Sequence, residues 1–111
     1  MWSDPEDIET WKQNSRGAGW LFGWKVVEEF MRNNSLSLII RAHQLVKEGF
    51  KKHFEGKLIT VWSAPNYCYR MNNLAAILKI DETLESKCTQ FEASTQSKKS
   101  ENYANLIPYF L

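Results

Sequence analysis

Features that mark several special classes of protein are scarce or missing in this sequence. The two cysteines, Cys68 and Cys88, are too few for a disulfide framework, so reduced thiols are expected. No apolar run approaches the length of a membrane span, and the acidic stretch 4–7 differs from the cationic start of a secretory signal. The sequence therefore predicts a protein that does not enter a membrane and that resides in the cytoplasm and also in the nucleus.

An excess of charge of one sign is also missing. Fourteen Lys and Arg residues stand against 13 Asp and Glu residues, which leaves a net charge of +1 and gives no reason to expect nucleic acid as a partner. Apolar residues make up 43% of the 111 positions, and aromatic residues alone make up 14%. This composition is typical of one small globular domain with a hydrophobic core.

The pattern of apolar residues predicts a mixed α and β fold. Apolar residues between Val26 and Met31 recur every three or four positions, so residues 24–32 are expected to form one short helix. Compact apolar runs predict strands at 36–42, 49–54, 57–63, 74–80 and 87–93, the first of them buried, with a turn at Glu55-Gly56. Residues 1–23 are expected to be mostly loop, and the polar residues 94–111 a flexible tail.

Two side chains stand near predicted loops, where functional sites usually form. Arg16 precedes Gly17, and its guanidinium could grip phosphate oxygens; the alternative is a solvated surface arginine. His43 lies at a predicted strand end, where a neutral imidazole could ligate a metal ion; the alternative is a histidine without a ligand. Spacing alone does not decide between these alternatives.

Tyr67 and Cys68 lie in the turn-rich loop 64–73. Tyr67 could line a groove or pack within its own loop. Cys68 could be reactive or inert, since no basic residue is closer to it in sequence than Arg70. The residues leave both pairs of alternatives open, and no nucleophilic triad is expected.

Four sequence blocks, taken together and in order, resemble the phosphoprotein phosphatase family. The blocks are Trp2-Ser3-Asp4-Pro5, Ser15-Arg16-Gly17-Ala18-Gly19-Trp20, Arg41-Ala42-His43-Gln44 and Ser63-Ala64-Pro65-Asn66-Tyr67-Cys68-Tyr69-Arg70. The similarity runs from Trp2 to about Ala93, and the ending Pro108-Tyr109-Phe110-Leu111 is similar to the tail of the type 2A/4/6 group of catalytic subunits. The resemblance thus implies a carboxy-terminal portion of the catalytic domain at 1–93 and a tail at 94–111.

This resemblance implies a calcineurin-like metallophosphoesterase of the α+β or α/β class. One short helix and four to five mainly antiparallel strands would form the carboxy-terminal part of its β-sandwich. Two divalent metal ions of the manganese, iron or zinc type would activate water for attack on phosphoserine or phosphothreonine in proteins. On this resemblance His43 matches a metal ligand, Arg16 matches a phosphate-binding arginine, and Tyr67 and Cys68 match residues of the substrate groove.

Two tail residues match positions at which the group is modified. Leu111 matches a leucine whose α-carboxylate is methyl-esterified, which favours assembly with scaffold and regulatory subunits, and Tyr109 matches a phosphorylation position. Phosphoprotein substrates and these subunits are the partners that the resemblance implies.

The sequence also departs from the family pattern. The family's amino-terminal metal-binding motifs and its general-acid histidine occur nowhere in it, so the metal site is expected to be incomplete and the 111-residue chain inactive by itself. A truncated reading of a longer protein would explain this. The alternatives are a non-catalytic module that binds phosphatase scaffold or regulatory partners through its Tyr-Phe-Leu ending, and a decayed copy of the enzyme.

Two local departures concern loops. Asn14 begins the segment that stands where the family has Ser-Pro-Arg, which keeps Arg16 but is expected to loosen its loop. Asn72 stands at a family glycine, in a turn where Asn tolerates left-handed backbone better than most residues.

Overall fold

The computed structural model describes residues 2–94 of the chain. These residues form one α-helix and eight strands: β1 Asp4–Pro5, β2 Trp11–Gln13, β3 Trp20–Phe22, α1 Trp24–Asn33, β4 Ile39–Arg41, β5 Phe50–His53, β6 Leu58–Val61, β7 Ala75–Ile80 and β8 Ser86–Phe91. The described chain divides into two compact units, a first unit of residues 2–43 and 52–60 and a second unit of residues 44–51 and 61–94. The expected mixed class of helix and strands is confirmed.

The five expected strands are all present as β4 to β8, and each is shorter than expected. β4 covers only Ile39–Arg41, and Ile40 is 43% exposed, so the expectation of a buried strand at 36–42 is wrong. An apolar run indicates where a strand forms, but it does not show which of its residues find a partner strand. Helix α1 ends one residue beyond its expected end, and the turn expected at Glu55-Gly56 lies within the 3-10 turn Phe54–Gly56.

The interpretation of residues 1–23 as mostly loop is confirmed, since most of the described residues there lie outside strands, but it missed three short strands. β3 pairs in parallel with β1, which places Asp4 opposite Leu21, and antiparallel with β2, which places Trp11 opposite Phe22. Pairings of two or three residues are too short to show the alternation by which a strand is recognised in a sequence. This small sheet fixes the position of Asp4.

The first unit has its core on one face of α1. Val27 and Met31 lie one helical turn apart and pack with the buried Leu58 of β6. The partly buried Phe22, Ile39 and Phe54 surround these three residues. β6 also pairs in parallel with β4, which brings Arg41 opposite Thr60.

The second unit contains the antiparallel hairpin of β7 and β8, paired from Ala75 and Phe91 to Ile80 and Ser86. Ala75 and Ala76 are fully buried. Gly49, with a φ of 84°, approaches Ala75 so closely that a Cβ would lie 2.5 Å from the Ala75 carbonyl carbon. No larger residue than glycine fits at that position.

Within residues 2–94 no helix is long and apolar enough to cross a membrane. The expected tail 94–111 lies outside the described residues except for Ser94. The division into a catalytic portion at 1–93 and a tail therefore stays a prediction.

Candidate functional site

Asp4 is the centre of a buried polar cluster in the first unit. The residue is 2% exposed, so its carboxylate depends on donors from the protein itself. Its Oδ2 accepts a hydrogen bond from Asn14 Nδ2 at 2.9 Å and forms an ion pair with Arg16 Nε at 3.2 Å, and its Oδ1 accepts a hydrogen bond from Arg41 Nη2 at 3.0 Å. One carboxylate thus holds two guanidinium groups in place.

Arg41 connects this cluster to the pairing of β4 with β6. Its Nη2 also donates to the carbonyl oxygen of Ser3 at 3.1 Å, and its Nη1 donates to Thr60 Oγ1 at 3.5 Å. Burial lowers the pKa of Arg41, while its hydrogen bond to Asp4 acts in the opposite direction. The guanidinium stays charged at neutral pH, because arginine does not lose its proton in proteins.

The structure brings together Arg16 and His43, the two residues singled out from the sequence. Arg16 Nη1 lies 3.0 Å from His43 Nε2. Because a guanidinium only donates, Nε2 accepts this bond, which assigns the single proton of a neutral imidazole to Nδ1. Burial and, after it, the charge of Arg16 lower the pKa of His43, so the ring is neutral at pH 7.

Asn14 holds the loop that carries Arg16. Its Oδ1 accepts a hydrogen bond from the backbone N–H of Arg16 at 3.1 Å, and its backbone carbonyl accepts one from Gly17 at 3.4 Å. Together with the bond from its Nδ2 to Asp4, these contacts leave Asn14 only 6% exposed. The amide side chain thus forms an Asx turn at this position, and the expected loosening of the loop relative to the family's Ser-Pro-Arg stays a prediction.

The guanidinium of Arg16 retains donors for a ligand. Its Nε and Nη1 contact Asp4 and His43, whereas Nη2 has no hydrogen-bond partner among residues 2–94. The side chain is 18% exposed, so this edge is held in place and still within reach of solvent. A fixed guanidinium edge beside a neutral imidazole suits an oxyanion such as phosphate.

The described residues do not by themselves fit a metal centre. Among residues 2–94 there is no group of three or more His, Cys, Asp or Glu side chains that could hold a metal ion. The Nε2 atom of His43 faces Arg16, and both carboxylate oxygens of Asp4 already accept hydrogen bonds. The role of His43 as a metal ligand therefore stays a prediction.

In the second unit, Tyr67 and Cys68 lie in a tight turn with left-handed backbone. The φ angles are 43° at Asn66 and 54° at Cys68, and Tyr67–Tyr69 form a 3-10 turn. Asn73, 3% exposed, holds the turn because its Oδ1 accepts a hydrogen bond from the backbone N–H of Tyr67 at 2.8 Å. The turn therefore has a fixed shape built on one buried amide.

The ring of Tyr67 packs edge-on against Trp62, with ring centroids 4.8 Å apart. Burial raises the pKa of the Tyr67 hydroxyl, which is therefore protonated at neutral pH. Cys68 is half-buried and forms no disulfide within the described chain. The groove roles of Tyr67 and Cys68 stay predictions, and Tyr109 and Leu111 lie outside the described residues.

Sequence reasoning did not identify Asp4, Asn14, Arg41 or Asn73, which hold these two loops. Asp4 and Arg41 stood within recognised blocks, but nothing in a sequence shows that residues 37 positions apart share a hydrogen bond. The sequence offers no signal for Asp4, because a strand of two residues is too short to be recognised and the burial of its carboxylate depends on distant segments.

Comparisons with known proteins show which protein family contains sequences similar to this chain. A family model described as calcineurin-like phosphoesterase matches residues 1–47, which include all of the cluster except Thr60. Serine/threonine-protein phosphatase ppe1 of Schizosaccharomyces pombe is 63% identical over 84% of this chain and 31% of its own length. The serine/threonine-protein phosphatase 6 catalytic subunit of Drosophila melanogaster is 57% identical over 100% of this chain and 37% of its own length. The serine/threonine-protein phosphatase 4 catalytic subunit of Saccharomyces cerevisiae is 59% identical over 84% of this chain and 30% of its own length.

A solved structure agrees with the fold. It is a protein serine/threonine phosphatase from Saccharomyces cerevisiae with similarity to human phosphatase PP5, and it superposes with a TM-score of 0.76 at 31% identity, covering 85% of this chain and 33% of its own. This chain thus spans about a third of the length of the relatives it matches. Its homologues are Ser/Thr protein phosphatase catalytic subunits at 57–63% identity, and the chain belongs with them to the phosphoprotein phosphatase family of calcineurin-like metallophosphoesterases.

Proposed function

We propose that this chain supplies the phosphate-binding part of a Ser/Thr protein phosphatase that hydrolyses phosphoserine and phosphothreonine in proteins. The observation that carries the proposal is the position of Arg16, held between the Asp4 carboxylate at 3.2 Å and His43 Nε2 at 3.0 Å. A guanidinium fixed in this way loses little further freedom when it binds a phosphoryl group.

Each of the three residues has a separate role in this proposal. Arg16 binds phosphoryl oxygens through the Nη2 edge. Asp4 does not touch the substrate and acts as a positioning residue, because its ion pair with Nε holds the guanidinium in place. His43 presents a neutral ring that neither repels Arg16 nor competes with it for the phosphate.

Membership of the metallophosphoesterase family implies divalent metal ions, which lower the barrier to attack on phosphorus when they are bound. Because the described residues do not hold such ions by themselves, no catalytic step is proposed for this chain alone. We propose ions of the manganese, iron or zinc type for the whole enzyme, and we expect the 111-residue chain alone to show no phosphatase activity.

The proposal predicts that the 111-residue chain binds inorganic phosphate and that Arg16→Gln weakens this binding about tenfold, the loss expected when one charge-assisted hydrogen bond is removed. The measurement is a titration of phosphate followed by ¹⁵N NMR, with the signals of Arg16 and Gly17 as reporters.

The matched control is Arg32→Gln, which removes the same charge from the last turn of α1. Phosphate affinity is expected to stay within a factor of two in this variant. An equal loss of phosphate affinity in both variants would mean that phosphate binding depends only on the net charge of the chain. The proposal would then have to be abandoned.

The proposal extends to partners and location. Phosphatase catalytic subunits act on phosphoproteins, and we propose Tyr67 and Cys68 as part of the groove for these substrates. Scaffold and regulatory subunits, methyl esterification at Leu111, phosphorylation at Tyr109, and residence in the cytoplasm and nucleus are proposals that rest on the family resemblance.

A further inference from the structure

Ser15 lies at the tip of the turn that carries Arg16. The backbone N–H of Gly17 donates to the carbonyl oxygen of Asn14 at 3.4 Å, so Ser15 and Arg16 are the two central residues of this turn. Ser15 is exposed, whereas Asn14 before it is buried and Arg16 after it is half-buried. Among residues 2–94 no hydrogen bond engages the Ser15 hydroxyl. The hydroxyl is therefore accessible to an enzyme that would modify it.

The segment before Ser15 is extended and lies at the edge of a sheet. β2 is the outer strand in the order β1-β3-β2, and all three of its residues, Trp11–Gln13, are exposed. Among residues 2–94 one side of this strand pairs with no other strand. An extended segment with a free edge can pair with the backbone of a partner protein.

The charge around Ser15 is of one sign. Between residues 10 and 27 the charged residues are Lys12, Arg16 and Lys25, and all three are cations. The exposed Lys12 lies three residues before Ser15. Many protein kinases select a serine by a cation at this spacing, which carboxylates of the kinase bind. The charge pattern therefore favours a kinase of the basophilic class as the modifying enzyme.

A cation and a serine at this spacing are common in proteins, so the position of Ser15 beside Arg16 is what gives the site a function. Phosphoserine carries a charge of about −1.5 to −2 at neutral pH. Consecutive Cα atoms lie about 3.8 Å apart, which places this charge on the order of 10 Å or less from the guanidinium, the distance over which charges act in physiological salt. A dianion there would pair with Arg16 and repel an incoming phosphate.

We propose that Ser15 is a phosphorylation site that lowers the affinity of the Arg16 edge for phosphate. The inference rests on the proposed function of Arg16 and adds its regulation. A kinase would transfer the γ-phosphoryl group of ATP to Ser15 Oγ. The bond from the γ-phosphorus to its bridging oxygen breaks, ADP leaves, a bond to Oγ forms, and the hydroxyl proton passes to the catalytic carboxylate of the kinase.

The first test is phosphorylation of the 111-residue chain by ATP and the catalytic fragment of protein kinase C, which accepts serines flanked by cations. Mass spectrometry of the digested chain should locate a phosphoryl group on Ser15. Lys12→Gln should slow this modification about tenfold, the effect of removing one charge-assisted contact with the kinase. Lys25→Gln, the matched control, removes a cation from the first turn of α1 and should leave the rate unchanged. No modification of Ser15, or equal slowing in both variants, would overturn the proposal.

The second test measures the effect on the site. A chain with phosphoserine incorporated at position 15 during translation is titrated with inorganic phosphate, and ¹⁵N NMR of Gly17 reports binding. The affinity for phosphate should be about tenfold lower than that of the unmodified chain. Equal affinity would overturn the proposed regulation.

A third measurement does not depend on binding of free phosphate. In ³¹P NMR the phosphoserine at position 15 should lose its last proton at a lower pH than in the same chain with Arg16→Gln, because a nearby guanidinium favours the dianion. Equal titration in both chains would show that the phosphoserine does not act on Arg16 and would overturn the proposal. If the titrations differ while the unmodified chain binds no phosphate, the proposed function of Arg16 fails and its interaction with phosphorylated Ser15 stands.

Discussion

Single residues in this chain hold backbone conformations that most residue types rarely adopt. Asn72, at the position where the family has glycine, has a φ of 51°, as its tolerance of left-handed backbone predicts. Its backbone N–H donates to Asn66 Oδ1 at 3.0 Å. A conformation that glycine would adopt freely is therefore supported here by a hydrogen bond.

We predict that Asn72→Val destabilises the chain by about 1–2 kcal/mol, because a β-branched residue is strongly disfavoured in the left-handed region. Urea unfolding of the chain and the variant measures this difference. Asn72→Gly serves as the control and should unfold within about 0.5 kcal/mol of the parent, since glycine adopts the angle without strain. Equal stability of all three proteins would show that the turn does not hold Asn72 in this conformation.

At the residue scale, sequence reasoning found Arg16 and His43 and did not find what places them. The residue types of Arg16 and His43 suggested phosphate binding and metal ligation, and such candidate roles can be predicted from the side chains alone. The 3.0 Å contact between them requires the loop held by Asn14 and the strand that ends at Arg41. Such contacts depend on pairing between distant segments, which a single sequence does not record.

At the scale of elements, the longest periodic segments were predicted best. Helix α1 and the hairpin of β7 and β8 were placed to within two residues, because both have enough residues to show a period. The strands β1 to β3 were missed, because each has two or three residues. These short strands carry Asp4, so the least predictable elements hold the candidate site.

The turn from β7 to β8 depends on one carboxylate. Asp81 Oδ1 accepts hydrogen bonds from the backbone N–H groups of Thr83 and Glu85, both at 2.9 Å, and from the Thr83 hydroxyl at 2.8 Å. The bond from the Thr83 hydroxyl, followed by that from Glu85, lowers the pKa of Asp81. The turn is therefore stabilised by the ionised carboxylate.

We predict that this turn loosens only in acid. Because the pKa of Asp81 is lower in the folded chain, its contribution is complete above the ordinary value of 3.8 and is lost as the pH falls through the lowered value. The amide signals of Thr83 and Glu85 followed by NMR from pH 6 to pH 2 should show this midpoint below 3.8. The variant Asp81→Asn keeps an acceptor but cannot ionise, so the pH-dependent change of these amide signals should be absent from it. A midpoint at or above pH 3.8 in the parent chain would contradict the prediction.

At the scale of the whole molecule, many large apolar side chains are exposed. Trp2 is 60% exposed, Ile77 is 55% exposed and Leu84 is 71% exposed. Together with unpaired edges of short strands, exposed apolar surface of this kind favours association between chains.

We predict that the 111-residue chain self-associates at tens of micromolar, and that Ile77→Lys lowers the association constant roughly tenfold by removing one buried aliphatic side chain from the contact. Sedimentation velocity over a range of concentrations measures this. Gln13→Lys, which adds the same charge at an exposed polar position, should leave association nearly unchanged. A chain that stays monomeric at high concentration would refute the prediction.

The polar cluster around Asp4 also determines when the candidate site can arise during folding. Asp4 and Arg41 lie 37 positions apart and Arg16 and His43 lie 27 apart, whereas the bonds of the Asp81 turn span at most four. Closing a long loop costs more chain entropy than closing a short one, so short-range contacts form first. Until Arg41 reaches it, Asp4 lacks one of the two cations that hold it in place, and Arg16 is correspondingly unfixed. The phosphate binding proposed for this site should therefore be among the last properties that the first unit acquires during folding.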